Sequence, residues 1–509
     1  MRASPTLLAL AAALPLASAA ERHWIGPRAT AMGGVGIASI ADADAGSINP
    51  AVLGFMWRGA DDLPPPADGD DAAADYAPED NQRLGGKRWG LSLSFQGGVE
   101  LTEDFGDYID VLEEIDNVEL ATTDGITAAQ AEQMLDLVTS LVGIQDDDLG
   151  VRLDVNAGVA LRIGRFSVGA RYWADTTALV RDIDLVNIGL EDATELTSAL
   201  NDASNAQEII GQDPTTYTVQ TLTAAQQSAL AAYGVNGIKA IDKVVTDAKA
   251  EGLIDDAKLQ TVIDTLGLVP LASSGSLSDN TTAVTAVGLG VAEIPVSYGY
   301  AFDDRWSIGA TAKLMLGRVY GASILVFSDD EDAVEDEIRD IQDEYEETTT
   351  FGIDVAGMFR ISNFQFALAA RDLNTPTFDG FITDDGLRVP DIELDPSLTA
   401  GVAWIPWPRL VVEANAELIP RDTLLEVGEV QHAGVGVEWT GLRFLALRGG
   451  ISGNLAESDQ DPVVSAGIGL NFWLLQIDLA GGMALDTVEY DGDEYPEEAR
   501  FSLGIRSEW

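Results

Sequence analysis

The chain contains no cysteine and only two histidines, His23 and His432, in 509 residues. The lack of cysteine excludes thiolate catalysis and any disulfide framework. With so few histidines and no Gly-x-Ser-x-Gly element, a Ser-His-Asp hydrolase is disfavoured as well. We therefore predict a protein that is not an enzyme and that uses no cofactor and no bound metal.

Basic residues are also scarce, because 29 lysines and arginines stand against 84 aspartates and glutamates, which gives a formal net charge of −55. A field of that sign repels nucleic acid and anionic membrane surfaces, so we expect neither as a partner. The 46% of apolar residues argues against disorder. The acidic residues are therefore expected to cover exposed parts of a folded protein.

No run of 18 or more apolar residues follows residue 20, which excludes a transmembrane helix. Before that point, Arg2 precedes a mostly apolar stretch from Leu7 to Leu16 that leads into small residues. This order is typical of a secretory signal peptide, and we predict cleavage near Ala19 or Ala20. The protein is thus expected to be exported.

Apolar residues alternate with polar ones or glycine along much of the chain. The clearest case is Trp89, Leu91, Leu93 and Phe95, which have Gly90, Ser92 and Ser94 between them. A period of two residues predicts β-strands. We assign fourteen strands, to residues 89–97, 150–162, 165–186, 283–302, 305–327, 349–361, 363–374, 396–405, 408–420, 431–439, 443–452, 462–473, 474–485 and 499–509.

The predicted connections alternate between very short and long. The short ones are placed at 163–164, 303–304, 362, 406–407, 440–442 and near 473–474. The long ones are 98–149, 187–282, 328–348, 375–395, 421–430, 453–461 and 486–498. An even number of antiparallel strands with short periplasmic turns and long external loops is typical of a bacterial outer-membrane barrel. The long connections follow the odd-numbered strands. In a soluble β-sandwich we would expect long connections after odd- and even-numbered strands alike.

The polar face of several strands is predicted to line the barrel lumen. Arg152, Asp154 and Arg162 share one face of 150–162, and Glu413 and Glu417 share one face of 408–420. A soluble sheet shows the same alternation, since its polar face meets water. The export signal and the asymmetric loops favour the membrane barrel.

Two further features of the strands have predicted roles. Phe501 and Trp509 lie on the apolar face of the last strand, where we expect an assembly signal for the barrel-assembly machinery. Pro295 removes one donor from the ladder of strand 283–302. It predicts a strand kink or a bulge, and the alternative is a bend at the barrel rim.

Two of the long loops are predicted to contain helices. Thr127-Ala-Ala-Gln130 and Thr223-Ala-Ala-Gln226 resemble capping boxes, and apolar residues follow at helical spacing. Either the helices pack on one another as a cap over the external rim, or they offer a docking surface to a partner. The acidic loop 328–348 is either a solvated face or a calcium site, although no EF-hand pattern is present.

A glycine-rich segment runs from Arg28 through Met32, Gly33, Gly34 and Gly36, and Asn49-Pro50-Ala51 follows it. A nucleotide-binding loop does not fit, because Ser39 stands where a third glycine is needed and no βαβ unit follows. The segment resembles the N-terminal hatch of the FadL-like outer-membrane proteins, the long-chain fatty acid transporters and their relatives. That resemblance implies a fourteen-stranded barrel plugged from its periplasmic side.

Within that superfamily the chain is most similar to the TraF-type barrels of the F-plasmid transfer operon. The similarity is carried by the Met-Gly-Gly-Val-Gly start and by three later segments, 104–116, 370–376 and 447–455. The resulting organisation is a signal peptide (1–20), a hatch (21–60), an acidic Pro-rich linker (61–88) and an all-β, antiparallel transmembrane barrel (89–509). The barrel has helical external loops at 98–149 and 187–282.

Two functions remain open from the sequence. The first is a hatch-plugged channel or transporter for a hydrophobic or amphipathic small molecule. The second is a non-transporting envelope component, of the conjugal transfer or assembly type, that presents its loops to envelope protein partners. In both cases we expect contact with outer-membrane lipid and location in the outer membrane of a Gram-negative bacterium.

Overall fold

The computed structural model describes most of the strands, the hatch region and the helical insertion. The described residues are 26–40, 42–56, 88–101, 127–145, 150–181, 184, 193–251, 254–268, 280–325, 344–383, 386–407, 409–422, 429–442, 444–456, 462–472, 474–490 and 493–509. The predicted signal peptide, the acidic linker up to residue 87, and residues 328–343 of the acidic loop lie outside these ranges. Among the helices in these ranges, none has the length and apolar character needed to cross a membrane.

Fourteen antiparallel strands form one closed barrel, which confirms the predicted strand number and fold class. The strands are β1 (Trp89–Leu101), β2 (Gly150–Ile163), β3 (Phe166–Arg181), β4 (Ala283–Ala301), β5 (Trp306–Leu325), β6 (Tyr345–Ile361), β7 (Phe364–Arg371), β8 (Ser397–Trp407), β9 (Leu410–Glu417), β10 (His432–Leu442), β11 (Leu445–Asn454), β12 (Val463–Phe472), β13 (Leu475–Ala484) and β14 (Glu498–Glu508). Each strand pairs with the next, and β14 pairs with β1 to close the barrel. Closure leaves no strand edge unpaired, as a barrel in hydrocarbon requires.

Two of the predicted short turns were placed too early. β8 continues through Pro406 to Trp407, and β10 continues to Leu442. The pairing register shifts between Trp404 and Trp407, and again between Trp439 and Leu442. Each strand therefore accommodates an extra residue in a bulge and goes on pairing, where the sequence pattern suggested a turn. At Pro406 the bulge also accommodates a residue that has no N–H to donate.

Apolar side chains cover the outer face of the barrel. Along β5, for example, Ile308, Leu314 and Leu316 are exposed, while the alternate residues face inward and are buried. Exposed aromatic residues stand next to the short turns: Phe166, Phe302, Trp306, Phe364, Trp407, Phe444 and Phe472. An apolar outer band with an aromatic girdle is the pattern of an outer-membrane-type barrel.

The long loops carry helices and three short two-stranded sheets. After two short hatch helices described below, the helices are α3 (Ala128–Gln145), α4 (Ala193–Asn201), α5 (Ala203–Ile210), α6 (Ala224–Ala229), α7 (Gly234–Glu251) and α8 (Asp256–Leu268), with a 3₁₀ turn at Ala231–Tyr233. The small sheets pair Thr377–Phe378 with Ile392–Glu393, Arg421–Asp422 with Glu429–Val430, and Thr487–Tyr490 with Asp493–Pro496. Thr223 and Gln226 form the predicted capping box of α6.

Helices α3 to α8 pack on one another around a single apolar core, here called the helical bundle. Val99, Leu101, Val151 and Leu153, at the long-loop ends of β1 and β2, pack against that core. These four residues alternate with the inward-facing Glu100 and Arg152, so they belong to the outer face of the wall. The bundle therefore rests against the outside of the barrel wall, beside the lumen.

Candidate functional site

The described part of the predicted hatch, residues 26–40 and 42–56, lies inside the barrel. It consists of α1 (Gly26–Ala31), α2 (Ala45–Ile48) and a 3₁₀ helix (Pro50–Phe55). Gly33 and Gly34 have φ values of 68° and 76°, a left-handed conformation that glycine adopts without strain and that turns the chain after α1.

Asn49 fixes the turn into the 3₁₀ helix of the hatch. Its side chain accepts from Ala51 N at 2.9 Å and donates to Ile37 O at 2.6 Å. Pro50 occupies the first position of that helix, where no donor is needed. The predicted Asn-Pro signal therefore acts as a helix cap that also ties the two halves of the hatch together.

The hatch packs against glycines of the barrel wall. Gly436 and Gly450 face Met32, and neither leaves room for a Cβ atom. Gly299 and Gly309 face Pro50 in the same way, close to the short turn between β4 and β5. The hatch thus lies towards the short-turn rim of the barrel, with backbone touching backbone. Contacts of this kind depend on shape, because the glycines contribute no side chain.

A chain of buried ion pairs begins at the predicted hatch residue Arg28. Arg28 Nε lies 3.2 Å from Glu438 Oε2 on β10, and the same oxygen lies 2.6 Å from Arg448 Nε on β11. Arg448 Nη1 continues to Asp478 Oδ1 on β13 at 2.6 Å. Four charges from the hatch and three strands thereby compensate one another in one buried set.

The same chain returns to the hatch from Asp478. Asp478 Oδ2 accepts from Arg506 Nη2 at 2.8 Å, and Arg506 also pairs with Asp42 of the hatch. Removing one member of such a buried set leaves its partner charged and unpaired, which typically costs about 3–5 kcal/mol. The hatch is therefore held electrostatically at two points of one continuous network.

Two of the predicted lumen residues lie next to the hatch. Glu413 accepts from Ala38 N at 2.7 Å and from the Ser39 hydroxyl. Arg162 is fully buried and pairs with Glu508 at 3.2 Å, between β2 and β14. Neither residue could be assigned a partner from the sequence, because each pair is separated by hundreds of positions.

The other predicted lumen residues also form ion pairs. Arg152 lies 3.3 Å from Glu100, and Asp154 lies 2.7 Å from Arg500. Glu417 pairs with Arg421 at 2.9 Å and accepts from His432 N at 3.0 Å. In the described residues these charges line the lumen and compensate one another.

Lys313 is the centre of a second charged cluster, which the sequence analysis did not find. Its Nζ atom lies 2.9 Å from Asp354 and 2.6 Å from Asp372. We call these three residues the Lys313 cluster. On the neighbouring strands, Arg171 pairs with Glu293 at 2.9 Å. The sequence did offer a signal for this cluster: Lys313 alternates with the outward-facing residues of β5 and must therefore face inward. A lysine inside a barrel needs an acidic partner.

The segment 370–376, one of those that carry the family similarity, connects the hatch, the Lys313 cluster and β6. Arg371 donates to Ile48 O of the hatch at 3.0 Å, and Asp372 belongs to the Lys313 cluster. Asn374 donates to Phe351 O at 2.6 Å and accepts from Ile353 N at 2.9 Å. β7 has ended at this point while β6 continues. The Asn374 side chain therefore supplies the hydrogen-bond partners that a backbone segment beside β6 would otherwise supply.

The connection between β7 and β8 folds back into the lumen. We call its described residues, 373–383 and 386–396, the inner loop. Phe378 is fully buried against Gly317, and Val389 packs against Gly321. The apolar cluster around them comprises Trp173, Val287, Leu289, Val291, Met315, Val319, Phe378, Val389, Ile392 and Leu394.

The inward residues of β5 show how the lumen is filled in layers. Near the short turn, Gly309 and Thr311 contact the hatch. Lys313 follows with its cluster, and beyond it Gly317 and Gly321 contact the inner loop. From the short-turn rim towards the long-loop rim, β5 therefore contacts the hatch first, then the Lys313 cluster and then the apolar inner loop.

A small cavity of about 60 Å³, with polar and apolar lining residues, lies between the hatch and the strands from β7 to β11. Gly36, Arg371, Glu417 and His432 are among its lining residues. That volume holds a few water molecules and no extended apolar molecule. Among the described residues, no group of three or more His, Asp or Glu side chains is placed to hold a metal ion.

Pro295 lies inside β4 and Phe501 inside β14, whereas Trp509 directly follows the last residue of β14. Pro295 pairs with Lys313 inside β4, and the β3–β4 register has the same offset on both sides of it, so no bulge is present there. Phe501 points outward and is exposed on β14. Trp509 exchanges two backbone hydrogen bonds of 3.0 Å with Trp89, where the barrel closes.

Comparison with known proteins gives one family and several similar solved structures. The family model described as "F plasmid transfer operon, TraF, protein" matches residues 72–416. The toluene transporter TodX of P. putida is 12% identical over 96% of this chain and 99% of that chain, with a TM-score of 0.43. A FadL homologue of Pseudomonas aeruginosa is 9% identical over 97% of this chain and 99% of that chain, with a TM-score of 0.44. The search of curated proteins gave no match.

Proposed function

The chain belongs to the F plasmid transfer operon TraF protein family, and from that premise we propose that it is an outer-membrane channel, closed at rest, for an amphipathic small molecule. The observation that carries this proposal is that the contacts between the described hatch and the barrel wall are non-covalent, so that the hatch can be displaced. The described hatch is held by ion pairs and by packing on glycines, and the chain has no cysteine to fix it covalently. A barrel that served only as an anchor would gain nothing from a plug able to leave.

The lining of the lumen supports an amphipathic permeant. Apolar residues such as Leu289, Val291 and Met315 form one stretch of wall, and Arg171, Glu293 and Lys313 lie next to them. A permeant molecule that is wholly apolar would have to pass these buried, mutually paired charges. A molecule with one polar and one apolar end finds a surface of each kind.

Location in the outer membrane of a Gram-negative bacterium is part of the proposal. The N-terminal pattern supports export through a cleaved signal peptide. The exposed apolar band and its aromatic residues support contact with outer-membrane lipid. Phe501 on the strand that closes the barrel, and Trp509 directly after it, are proposed as the contact for the barrel-assembly machinery.

A second candidate is a non-transporting envelope component that binds other envelope proteins. The helical bundle favours it, because the bundle packs on the outer face of β1 and β2 and leaves its own far side to solvent or a partner. The family description points to the same class of role. In this case the barrel would serve to hold the bundle at the cell surface.

Solvent extraction of the detergent-purified protein, followed by mass spectrometry, separates the two candidates. The channel proposal predicts an amphipathic small molecule at up to one copy per barrel after expression in the native host. An empty barrel that co-purifies at constant ratio with an envelope protein would favour the second candidate. Deletion of residues 187–282 is the control, because it removes most of the bundle and should abolish that co-purification alone.

A further inference from the structure

We propose that the inner loop is a second plug, separate from the hatch, and that the lumen opens only when both have moved. This inference rests on the proposed channel function and specifies how that channel is regulated. The hatch contacts the part of β5 that contains Gly309 and Thr311, whereas the inner loop contacts Gly317 and Gly321. Charged residues of the Lys313 cluster lie between the two contact regions. The two obstructions therefore lie in series along the lumen.

The inner loop is seated by shape and by apolar contact. Phe378 fits over Gly317, where any side chain would occupy the space of its ring. Val389 is placed over Gly321 in the same way. Ile392 and Leu394 complete the contact with the apolar residues of β3, β4 and β5. These apolar contacts are non-directional, and the two hydrogen bonds between Asp379 of the loop and Thr348 of β6 are exposed. The loop can therefore separate from the wall as a unit without leaving buried polar groups behind.

The base of the inner loop has the features of a hinge. Asp372 and Thr375 have φ values of 51° and 47°, a left-handed conformation that is unfavourable for residues with a side chain. The Lys313 cluster and the two hydrogen bonds of Asn374 hold this conformation in place. The strained backbone at Asp372 and Thr375 favours release of the loop, whereas its contacts with the wall favour the seated position. This balance is what we expect of a loop that has a seated and a released position.

Single alanine substitutions can unseat each plug separately. Gly317→Ala places a methyl group where the Phe378 ring lies, and Gly450→Ala does the same at Met32 of the hatch. Gly357→Ala is the matched control on the outer face of β6, because a Cβ atom there meets nothing within 4 Å. If Gly317→Ala prevents barrel assembly, Phe378→Ala takes its place, since it removes the ring and leaves the strand unchanged.

The decisive readout is conductance in planar lipid bilayers of the full chain. We expect Gly317→Ala and Gly450→Ala each to conduct little, and the double variant to conduct at least ten-fold more than either. Full conductance of Gly450→Ala alone would overturn the second plug while leaving the channel function intact. A double variant as silent as the control would overturn the channel function itself, and the inference with it.

A second readout follows the inner loop directly. Met315 lies buried beneath the loop, and Met315→Cys would be the chain's single cysteine. We expect a membrane-impermeant maleimide to label it at least ten-fold faster in the Gly317→Ala background than in the Gly357→Ala background. Equal labelling rates would show that the seating of the loop on Gly317 does not control access to Met315, and they would overturn the proposal.

Discussion

Arg371 and Asp372, adjacent in the chain, fasten different parts of the lumen's contents. Arg371 donates to Ile48 O in the hatch at 3.0 Å, and Asp372 accepts from Lys313 Nζ at 2.6 Å at the base of the inner loop. Two neighbouring residues of one segment therefore contact both plugs.

Gly450→Ala should loosen the hatch. The added methyl group meets the backbone of Met32, and overpacking of this kind costs about 1–3 kcal/mol. The labelling rate of a cysteine at Ala43, which is buried in the hatch, measures the effect, and we expect an increase of roughly ten-fold. Gly453→Ala on the same strand is the control, since nothing lies within 4 Å of its Cβ position. Equal labelling rates in the two variants would contradict the view that packing against Gly450 keeps the hatch in place.

Asp372→Asn should release the base of the inner loop. Lys313 keeps Asp354 as a partner, so we expect a loss of about 1–3 kcal/mol of local stability. Hydrogen exchange should accelerate at residues 373–383 and 386–396 and stay unchanged in the neighbouring strands. The control is Arg318→Gln, which removes an exposed pair with Glu347 and should change stability by less than about 1 kcal/mol. Unchanged exchange in the loop of Asp372→Asn would contradict this role.

Asp242→Asn should destabilise the helical bundle and spare the barrel. The Asp242 carboxylate accepts from Tyr217 Oη at 2.9 Å and from the backbone N of Gln220, Thr221 and Leu222 at 2.7, 2.9 and 2.8 Å. An amide cannot accept at both of its ends, and the loss should be about 3 kcal/mol. Thermal loss of helical circular dichroism measures it. Asp247→Asn, which removes an exposed pair with Lys243, should cost about 0.5 kcal/mol at most.

The helical bundle should also weaken at alkaline pH. Burial, together with the hydrogen bond to Asp242, raises the pKa of Tyr217 above its ordinary value of 10.0. The unfolded bundle would lose that proton first, so the stability gained from the neutral phenol is present below pH 10 and is lost as pH rises beyond it. Comparing helical circular dichroism melts at pH 8 and pH 11 tests this. Tyr217→Phe should show a smaller pH effect, and an equal effect would point to another group.

The sequence predicted the barrel more fully than its contents. Strand alternation is a local property, so strand number and most boundaries could be predicted, and the errors at Trp407 and Leu442 come from bulges that break the period. The inner loop could not be predicted, because Phe378 meets Gly317 only after the chain has formed the intervening strands. The partners of Arg162 and Glu413 depend in the same way on the closed barrel.

The most direct test of the account asks whether the hatch is what obstructs the lumen. A Cβ atom at Gly90 would lie 3.3 Å from Ala43 Cβ, close to the spacing of a disulfide, so Ala43→Cys with Gly90→Cys should tie the hatch to β1. In a chain that also carries Gly317→Ala and Gly450→Ala, single-channel conductance is recorded before and after reduction. We predict a closed barrel while the disulfide is intact and a conducting one once it is reduced. The same conductance in both states would contradict the hatch as the obstruction.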